Sequence, residues 1–431
     1  MRTADGISPT FCVMPWINLG TETNGKCKIC CVVSNNYIKK DDGSDYHIHH
    51  DPIEEIFNSG HVRNVRRQML KGEWPEECAY CRKQDETGSP SPRHSYNSHG
   101  LNEKILREVE ISRQHDGASP SLPLSLEPRP GTLCNLKCTT CWSLSSSKVF
   151  SERQSLLEDP SAELPAFLRD TWDYEVREAK SSDFRWAENA IYLENVRRCM
   201  PTLERIYFTG GEPTLIASNR LLLRELLAQG RNDVLISFTT NLTVMDEELL
   251  RLAKRFKRLE VTGSIDAHGE ANEYIRYPTR FADVSRNIDR WMAEGVSLTL
   301  MSVVQIANLE SFVRLLQWLA IDRPYGHLNV MPTLLQNPAW LRPELLPQDL
   351  KRRAFGLVDE ALNDPRLSEH NRHRLKHVRE QILHEHPEAE HLRGQFRSYT
   401  RILDKARGTC FEKTFPHLAS LMREPEQVIT A

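Results

Sequence analysis

Six short apolar segments alternate with helical segments between about residues 120 and 335, and this alternation constrains the fold more than any other feature. Strand–helix units in series predict a parallel sheet, and right-handed crossovers curl such a sheet into a barrel. We therefore predict an α/β fold with a partial parallel (β/α)6 barrel at its core. The predicted strands are Leu122–Glu127, Arg205–Thr209, Val234–Thr239, Leu259–Ile265, Ser297–Val304 and Leu328–Pro332.

Residues 1–100 carry six of the eleven cysteines, which indicates a small cysteine-rich module before the core. Trp16–Leu19 and Lys28–Val33 flank Asn24-Gly25, a strong hairpin signal, and are predicted to be its two arms. A helix is predicted to begin at Pro52, with Asp51 as its N-cap, and to be interrupted at Ser59-Gly60. On the other side of the core, residues 343–431 are charged and predicted to form a helical extension.

The charge balance argues against one large class of function. The chain has 56 Lys and Arg against 59 Asp and Glu, whereas a dedicated nucleic-acid binder usually presents a strongly basic face. No apolar run approaches the roughly 18 residues of a membrane span, and the sequence starts without the apolar core of a secretion signal. We expect a soluble, cytoplasmic protein that binds neither nucleic acid nor membrane.

A loop with three cysteines directly follows the first predicted strand of the core. Cys134, Cys138 and Cys141 are spaced C-x3-C-x2-C. In a reducing cytosol, clustered cysteines are more often metal ligands than disulfides, and soft thiolates suit iron–sulfur clusters. Three thiolates in one loop hold three irons of a [4Fe–4S] cube and leave the fourth iron open to an outside molecule. The alternatives are a zinc site short of one ligand and three unrelated thiols.

Together with a second motif, this loop resembles the radical S-adenosylmethionine (radical SAM) superfamily over about residues 120–335. The second motif is Gly210-Gly211-Glu212-Pro213, which ends the second predicted strand, where the superfamily has its GGEP motif. The resemblance implies that the glycines let the backbone approach SAM closely and that Glu212 pairs with its ammonium group. One position departs from the pattern, because Thr140 stands where the superfamily usually has an aromatic residue.

The resemblance implies further contacts with SAM at the ends of later strands. Asn241 is expected to bind the ribose of SAM. Ser264 and Arg276 fall in the region that usually holds the methionine carboxylate, and Ile306 is expected to pack against adenine. For each of these residues, an ordinary polar or core role at a strand end is the alternative.

The amino-terminal cysteines resemble those of a second iron–sulfur domain. They are similar to the twitch domain, a compact relative of the SPASM domain that holds an auxiliary [4Fe–4S] cluster and, in one group of radical SAM proteins, precedes the barrel. The resemblance implies Cys12, Cys30, Cys78 and Cys81 as ligands of this cluster, with Cys27 and Cys31 as alternates to Cys30.

A zinc ribbon built from two C-x2-C pairs, at residues 27–30 and 78–81, is the rival interpretation of these cysteines. The pairs are separated by 47 residues, well beyond the roughly 15–20 residues typical of such sites. Nearby, His47, His49 and His50 suggest either another metal site or an exposed polar strand.

The resemblance implies an oxidoreductase-type enzyme that cleaves SAM reductively to a 5′-deoxyadenosyl radical. That radical would abstract hydrogen from a peptide, an amino acid or a small metabolite, while the auxiliary cluster would accept an electron from the substrate or bind it. A flavodoxin or ferredoxin is the expected reducing partner. The non-enzymatic alternatives are a zinc-stabilised interaction protein and an iron–sulfur regulator that binds SAM without turnover.

Overall fold

A computed structural model describes residues 7–33, 36–88 and 91–424 of the protein. Parts of the predicted amino-terminal module (residues 1–6, 34–35 and 89–90) and of the carboxy-terminal extension (residues 425–431) lie outside the described residues. In the described part, no helix combines the length and the apolar composition that a membrane crossing requires. The chain has an α/β fold with an eight-stranded, mostly parallel sheet.

The strands follow one another in the sheet in the order β2-β1-β3-β4-β5-β6-β7-β8. β1 and β2 are antiparallel, whereas β1–β3, β3–β4, β4–β5, β6–β7 and β7–β8 pair in parallel. The strands are β1 (Asn18–Thr21), β2 (Cys27–Lys28), β3 (Ser125–Glu127), β4 (Arg205–Phe208), β5 (Leu235–Thr240), β6 (Arg258–Ser264), β7 (Ser297–Val304) and β8 (Asn329–Leu334).

The helices fill the connections between the strands and make up the carboxy-terminal part of the chain. Those of the described residues are α1 (Met14–Ile17), α2 (Ile53–Phe57), α3 (Gly60–Lys71), α4 (Ala79–Glu86), α5 (Pro92–Gly100), α6 (Glu103–Gln114), α7 (Ser147–Glu158), α8 (Ala166–Ser181), α9 (Ala190–Cys199), α10 (Ala217–Ala228), α11 (Glu247–Ala253), α12 (Glu270–Ile275), α13 (Phe281–Ala293), α14 (Leu309–Ile321), α15 (Gln348–Leu362), α16 (Glu369–Gln381), α17 (Ala389–Arg407) and α18 (Phe411–Thr414).

By their internal contacts, the residues divide into two compact units. Unit 1 comprises Met1–Leu133, Ser181–Phe238 and Asp246–Leu259, and unit 2 comprises Cys134–Lys180, Thr239–Met245 and Glu260–Ala431. Unit 1 holds β1 to β4 and most of β5, while unit 2 holds most of β6 together with β7 and β8. Both units join segments that are distant along the chain.

The six predicted core strands are confirmed as β3 to β8, but the prediction of six strands was incomplete. The predicted hairpin arm Trp16–Leu19 is helical up to Ile17 and becomes a strand, β1, from Asn18. β1 pairs in parallel with β3 through Leu19 and Leu126. β1 is short and carries Asn and Gly, which are poor strand formers. Its antiparallel pairing with β2 agrees with the predicted hairpin turn, whereas its parallel pairing with β3, about a hundred residues later in the chain, follows from no local pattern.

Helices of unit 1 follow the predicted apolar pattern closely. The predicted interruption is confirmed, because α2 ends at Phe57 and α3 begins at Gly60. The Ser59 hydroxyl caps α3 by accepting the Val62 N–H, and α3 ends before Gly72, whose φ of 81° suits glycine. The histidine segment contradicts the predicted exposed strand: it forms a turn in which His49 is buried and stacks on Trp186.

In unit 2, the predicted helical extension is confirmed as α15, α16 and α17. α17 is amphipathic, and its buried face recurs every three or four residues, the repeat of an α-helix. The core members of that face are Leu392, Phe396, Tyr399 and Leu403. α17 therefore packs as a core helix of unit 2, although its sequence is highly charged.

Candidate active site

The three-cysteine loop of unit 2, residues 134–141, has no regular secondary structure and is held by backbone hydrogen bonds to the end of α12. The Lys137 N–H donates to the Tyr277 carbonyl (2.5 Å), and the Thr139 N–H donates to the Ile275 carbonyl (2.8 Å). Backbone N–H groups that donate to carbonyls at the end of a helix restrict the conformation of a loop. The loop is therefore positioned by the chain itself.

Side chains from two helices hold the carbonyl groups of the same loop. The Tyr399 hydroxyl, on α17, donates to the Thr139 carbonyl at 2.6 Å. Arg153, on α7, donates to the Cys141 carbonyl at 2.8 Å, and the Ser146 hydroxyl at the start of α7 donates to the Leu136 carbonyl at 2.8 Å. The sequence analysis missed these supporting residues because nothing local distinguishes them from other residues on charged helices.

The thiols of the loop are half-buried and influence one another electrostatically. Burial raises the pKa of Cys138 to about 11, while nearby Arg276 opposes the rise. Burial also raises the pKa of Cys141 to about 12, with Cys138 and Cys134 adding to it. Without metal, Cys138 and Cys141 are therefore protonated at neutral pH, so binding of a metal would release protons.

Behind the loop lies a buried charge cluster that the sequence analysis did not predict. Arg407, at the end of α17, pairs with Glu152 of α7 at 2.6 Å, and Lys137 of the loop contacts the same carboxylate at 3.1 Å. The side chains of Arg407 and Glu152 are only 4% and 6% exposed. Removal of either would leave a buried charge with reduced compensation.

The donor set of the loop fits an iron–sulfur cluster. In residues 7–33, 36–88 and 91–424, no three His, Cys, Asp or Glu side chains already converge on a metal site. The three thiols nevertheless lie close enough to shift one another's pKa. Cationic Arg276 and Arg153 also lie near them, which suits a cluster bound by anionic thiolates.

Three of the residues predicted to contact SAM lie in unit 2 at or beyond strand ends. Ser264 is the last residue of β6 and is half-buried. Arg276 follows α12 and forms an ion pair with the buried Asp266 at 2.8 Å, and the Asp266 carboxylate also accepts the Val303 N–H. Ile306 is fully buried beyond β7.

Asn241, the predicted ribose ligand, is linked directly to the three-cysteine loop. Its side-chain amide Nδ2 donates to the side-chain oxygen Oδ1 of Asn135 at 2.8 Å, and Asn135 Nδ2 in turn donates to the Thr243 hydroxyl at 2.8 Å. Asn241 also accepts hydrogen bonds from the backbone and hydroxyl of Thr243. The end of β5 and the residue after Cys134 are thus held in one polar network.

The GGEP turn of unit 1 runs against the backbone segment that leads into the three-cysteine loop. The Glu212 N–H donates to the Leu133 carbonyl at 2.7 Å. A Cβ on Gly211 would lie 2.2 Å from that carbonyl oxygen, and Gly210 has a φ of 119°. Glycine is therefore required at both positions for steric and conformational reasons.

Glu212 itself is buried, with an exposed fraction of 1%. Its carboxylate accepts the Thr214 N–H at 3.2 Å and the Thr214 hydroxyl at 2.8 Å. These bonds orient the carboxylate at the end of β4. A buried, oriented carboxylate is suited to bind a cationic group.

Four amino-terminal cysteines of unit 1 interact with one another, and they are the four that the twitch resemblance implies. Burial raises the pKa of Cys12 to about 12, and Cys81 adds to the rise. Cys12 and Cys81 likewise raise the pKa of Cys78, after burial. Cys12 also contributes to the raised pKa of Cys30, after burial and Cys31. The donor chemistry of this set fits an iron–sulfur cluster.

The two alternates also make contacts outside this set, although Cys31 lies near Cys30 and raises its pKa more than Cys12 does. Cys27 is fully buried in the hairpin, where its Sγ lies 3.8 Å from the Gly25 carbonyl oxygen. The Cys31 Sγ lies 3.3 Å from the Tyr96 hydroxyl. Neither contact involves the group formed by Cys12, Cys78 and Cys81.

The candidate site lies in a part of the chain that matches a known protein family. Residues 129–319 match the profile of the Radical SAM superfamily. The chain contains a radical SAM domain. The matched range includes the three-cysteine loop, the GGEP turn and the predicted contacts at residues 241, 264, 276 and 306, whereas the amino-terminal cysteines lie before it.

Solved structures of radical SAM enzymes are similar to this chain at low identity. SuiB of Streptococcus suis bound to S-adenosylmethionine is 15% identical with a TM-score of 0.35, and the alignment covers 70% of this chain and 63% of SuiB. Native anSMEcpe with bound AdoMet is 18% identical with a TM-score of 0.34, and the alignment covers 57% of this chain and 63% of that one. The chain thus spans less than two thirds of either structure. Among curated proteins, none matches this chain.

Proposed function

We propose that the protein is a radical SAM enzyme whose SAM-binding [4Fe–4S] cluster is held by Cys134, Cys138 and Cys141. One observation carries the proposal: a loop of three interacting thiols lies within a range that matches the superfamily profile. When bound and reduced, such a cluster supplies the electron that cleaves SAM to methionine and a 5′-deoxyadenosyl radical.

The chain's own residues would bind and orient SAM. Gly210 and Gly211 leave room beside the backbone, and the oriented carboxylate of Glu212 would bind the ammonium group of SAM. Asn241 would contact the ribose. Arg276 would bind the carboxylate of SAM, together with Ser264. Ile306 would exclude water from the adenine side.

The second part of the proposal concerns the amino-terminal cysteines. Cys12, Cys30, Cys78 and Cys81 would hold an auxiliary [4Fe–4S] cluster, supported by their mutual electrostatic influence. That cluster would either accept an electron from the substrate or bind the substrate. If it accepted an electron, the overall reaction would be an oxidation of the substrate. The substrate would be a peptide, an amino acid or a small metabolite, and a flavodoxin or ferredoxin would reduce the enzyme in the cytoplasm.

Iron content and SAM cleavage test the proposal. After anaerobic reconstitution we expect about eight irons per chain, and about four when Cys134, Cys138 and Cys141 are replaced together by Ala. The exposed Cys410 lies outside both sets, so Cys410→Ala is the matched control and should retain about eight. The wild-type protein should form 5′-deoxyadenosine when reduced with dithionite, and the triple variant should not. A chain that binds SAM but never forms 5′-deoxyadenosine would be a regulator, and the enzymatic proposal would be wrong.

The auxiliary cluster needs its own variant. Cys78→Ala/Cys81→Ala should lose about four irons yet still cleave SAM reductively, because the bond is broken at the other cluster. Because a small module without its metal has little core, circular dichroism and SAM affinity must match the wild type. Tightly bound zinc in place of the second set of irons would contradict the twitch assignment.

A further inference from the structure

A wide groove lies in unit 2 beside the loop that follows β6. Its walls are formed by that loop, the first turns of α14, one turn of α15, and α18 with the segment that follows it. The groove has a volume of about 760 Å³, within the roughly 300–1,000 Å³ range of sites that hold small organic ligands. None of the residues proposed to bind the cluster or SAM lines it. The groove is therefore a separate candidate site with room for a small molecule.

Three basic side chains from three different helices line this groove. They are Arg314 of α14, Arg353 of α15 and Lys413 of α18. Arg314 and Lys413 are exposed, and in the part of the chain that the structure describes neither forms an ion pair or a hydrogen bond through its side chain. Positive charges that meet on a concave surface repel one another and create a positive local potential. The groove is therefore suited to an anion.

Two carboxylates lie near these cations without neutralising Arg314 or Lys413. Glu310 does not line the groove; it is buried, with an exposed fraction of 3%, and contacts Arg353 Nε at 3.1 Å. Glu270 does line the groove, but it is exposed, so water and salt screen its charge. Only Arg353 thus has a close carboxylate partner, and the other two cations remain available to a ligand.

Two histidines in the same walls respond to these arginines. Burial lowers the pKa of His417 to about 4, with Arg353 and Arg314 adding to the shift. Burial also lowers the pKa of His268, where Asp322 opposes the shift and Arg314 adds to it. The two arginines therefore act on one region of the groove. Both imidazoles are neutral at pH 7 and can donate an N–H to a bound anion.

We propose that this groove binds a small molecule through a phosphate group held by Arg314, Arg353 and Lys413. A phosphate group carries nearly two negative charges and several acceptor oxygens, so it can contact cations that approach from different sides. Guanidinium groups match two of these oxygens at once, whereas a carboxylate offers one charge and two oxygens in a plane. Ala271 and Pro416 supply apolar surface for the organic part of a phosphate ester. The inference is independent of the proposed function.

Isothermal titration calorimetry of the reconstituted full-length protein tests the proposal on the wild type. The probes are inorganic phosphate and phenyl phosphate, and benzoate is the carboxylate for comparison. SAM is kept at a saturating concentration, so that Arg276 at the proposed SAM site does not bind the probes. Tighter binding of phenyl phosphate would identify a phosphate ester as the ligand, and equal affinity would identify free phosphate. If neither phosphate binds, or if benzoate binds as tightly as phenyl phosphate, the proposal is wrong.

Variants then locate the bound phosphate. Arg314→Gln and Lys413→Gln should each weaken its binding at least about threefold, and the double variant at least about tenfold. Both side chains are exposed, so the fold should be kept, whereas Arg353 stays unchanged because it compensates the buried Glu310. Arg352 is exposed on α15 outside the groove, so Arg352→Gln removes the same charge as a matched control. Wild-type affinity in the double variant, or an equal loss in Arg352→Gln, would overturn the assignment.

Discussion

The Tyr399 hydroxyl donates a 2.6 Å hydrogen bond to the Thr139 carbonyl, which lies between the second and third cysteines of the three-cysteine loop. Tyr399 belongs to α17, more than 250 residues further along the chain. The carboxy-terminal extension of unit 2 therefore supports the loop directly.

Tyr399→Phe removes this hydrogen bond and keeps the ring. We expect a loss of about 1 kcal/mol in the free energy of unfolding and faster loss of iron from the three-cysteine loop to a chelator. Tyr274→Phe is the control, because that hydroxyl bonds Asp404 and not the loop. Equal rates of iron release from both variants would show that the contact does not support the cluster. The measurement uses the Cys78→Ala/Cys81→Ala background, so that only one set of irons is followed.

Arg407→Leu should destabilise the protein by about 3–5 kcal/mol, because it leaves the buried Glu152 with only Lys137 as a partner. Glu152→Leu/Arg407→Leu removes both charges and should regain most of that loss in urea unfolding. Arg407 lowers the pKa of Glu152, although burial opposes it. The folded state thus binds the proton less tightly than the unfolded state. The pair's stabilisation is present above the unfolded pKa of about 4.5 and is lost as the pH falls below it. A double variant as unstable as the single one would point to packing instead.

Glu212→Ala should weaken SAM binding by about 1.5–3 kcal/mol, roughly 10- to 150-fold, because a buried carboxylate that faces a cationic group would be lost. The iron content should stay unchanged. Glu247→Gln, an exposed carboxylate on α11, serves as control in the same equilibrium dialysis. If SAM binds Glu212→Ala with wild-type affinity, the residue only shapes the turn.

Acidification should destabilise unit 1 through His49. Burial lowers the pKa of His49 to about 4, with His50 and His47 adding to the shift. An unfolded histidine titrates near 6.5, so between pH 6.5 and 4 the unfolded state binds more protons than the folded state. The free energy of unfolding therefore decreases as the pH is lowered through this range. The contribution is at most about 3 kcal/mol. His49→Phe keeps the stacking on Trp186 and should flatten the pH dependence of urea unfolding over this range. An unchanged slope would mean that other groups are responsible.

Much of this protein follows from local sequence patterns. The strands β3 to β8 were predictable because buried parallel strands form short apolar runs, and the interruption between α2 and α3 was predictable because Ser59-Gly60 ends one helix and caps the next. The three-cysteine loop and the GGEP turn could also be found, since cluster ligands and close backbone approach demand particular residues at particular spacings.

Other features depend on contacts between residues far apart in the chain. β1 joins the parallel sheet through β3, about a hundred residues later, the Glu152–Arg407 pair joins residues 255 positions apart, and the buried His49 stacks on Trp186. The convergence of cations from three helices on the groove of unit 2 is of the same kind, since any charged helix position has the same sequence signature. The sequence by itself determined the order of the core strands and helices and the spacing of the clustered cysteines, because propensity, turn chemistry and residue spacing are local. Only the tertiary structure decided which charges are buried together and which cations meet in one groove, because burial and electrostatic pairing depend on distance in space.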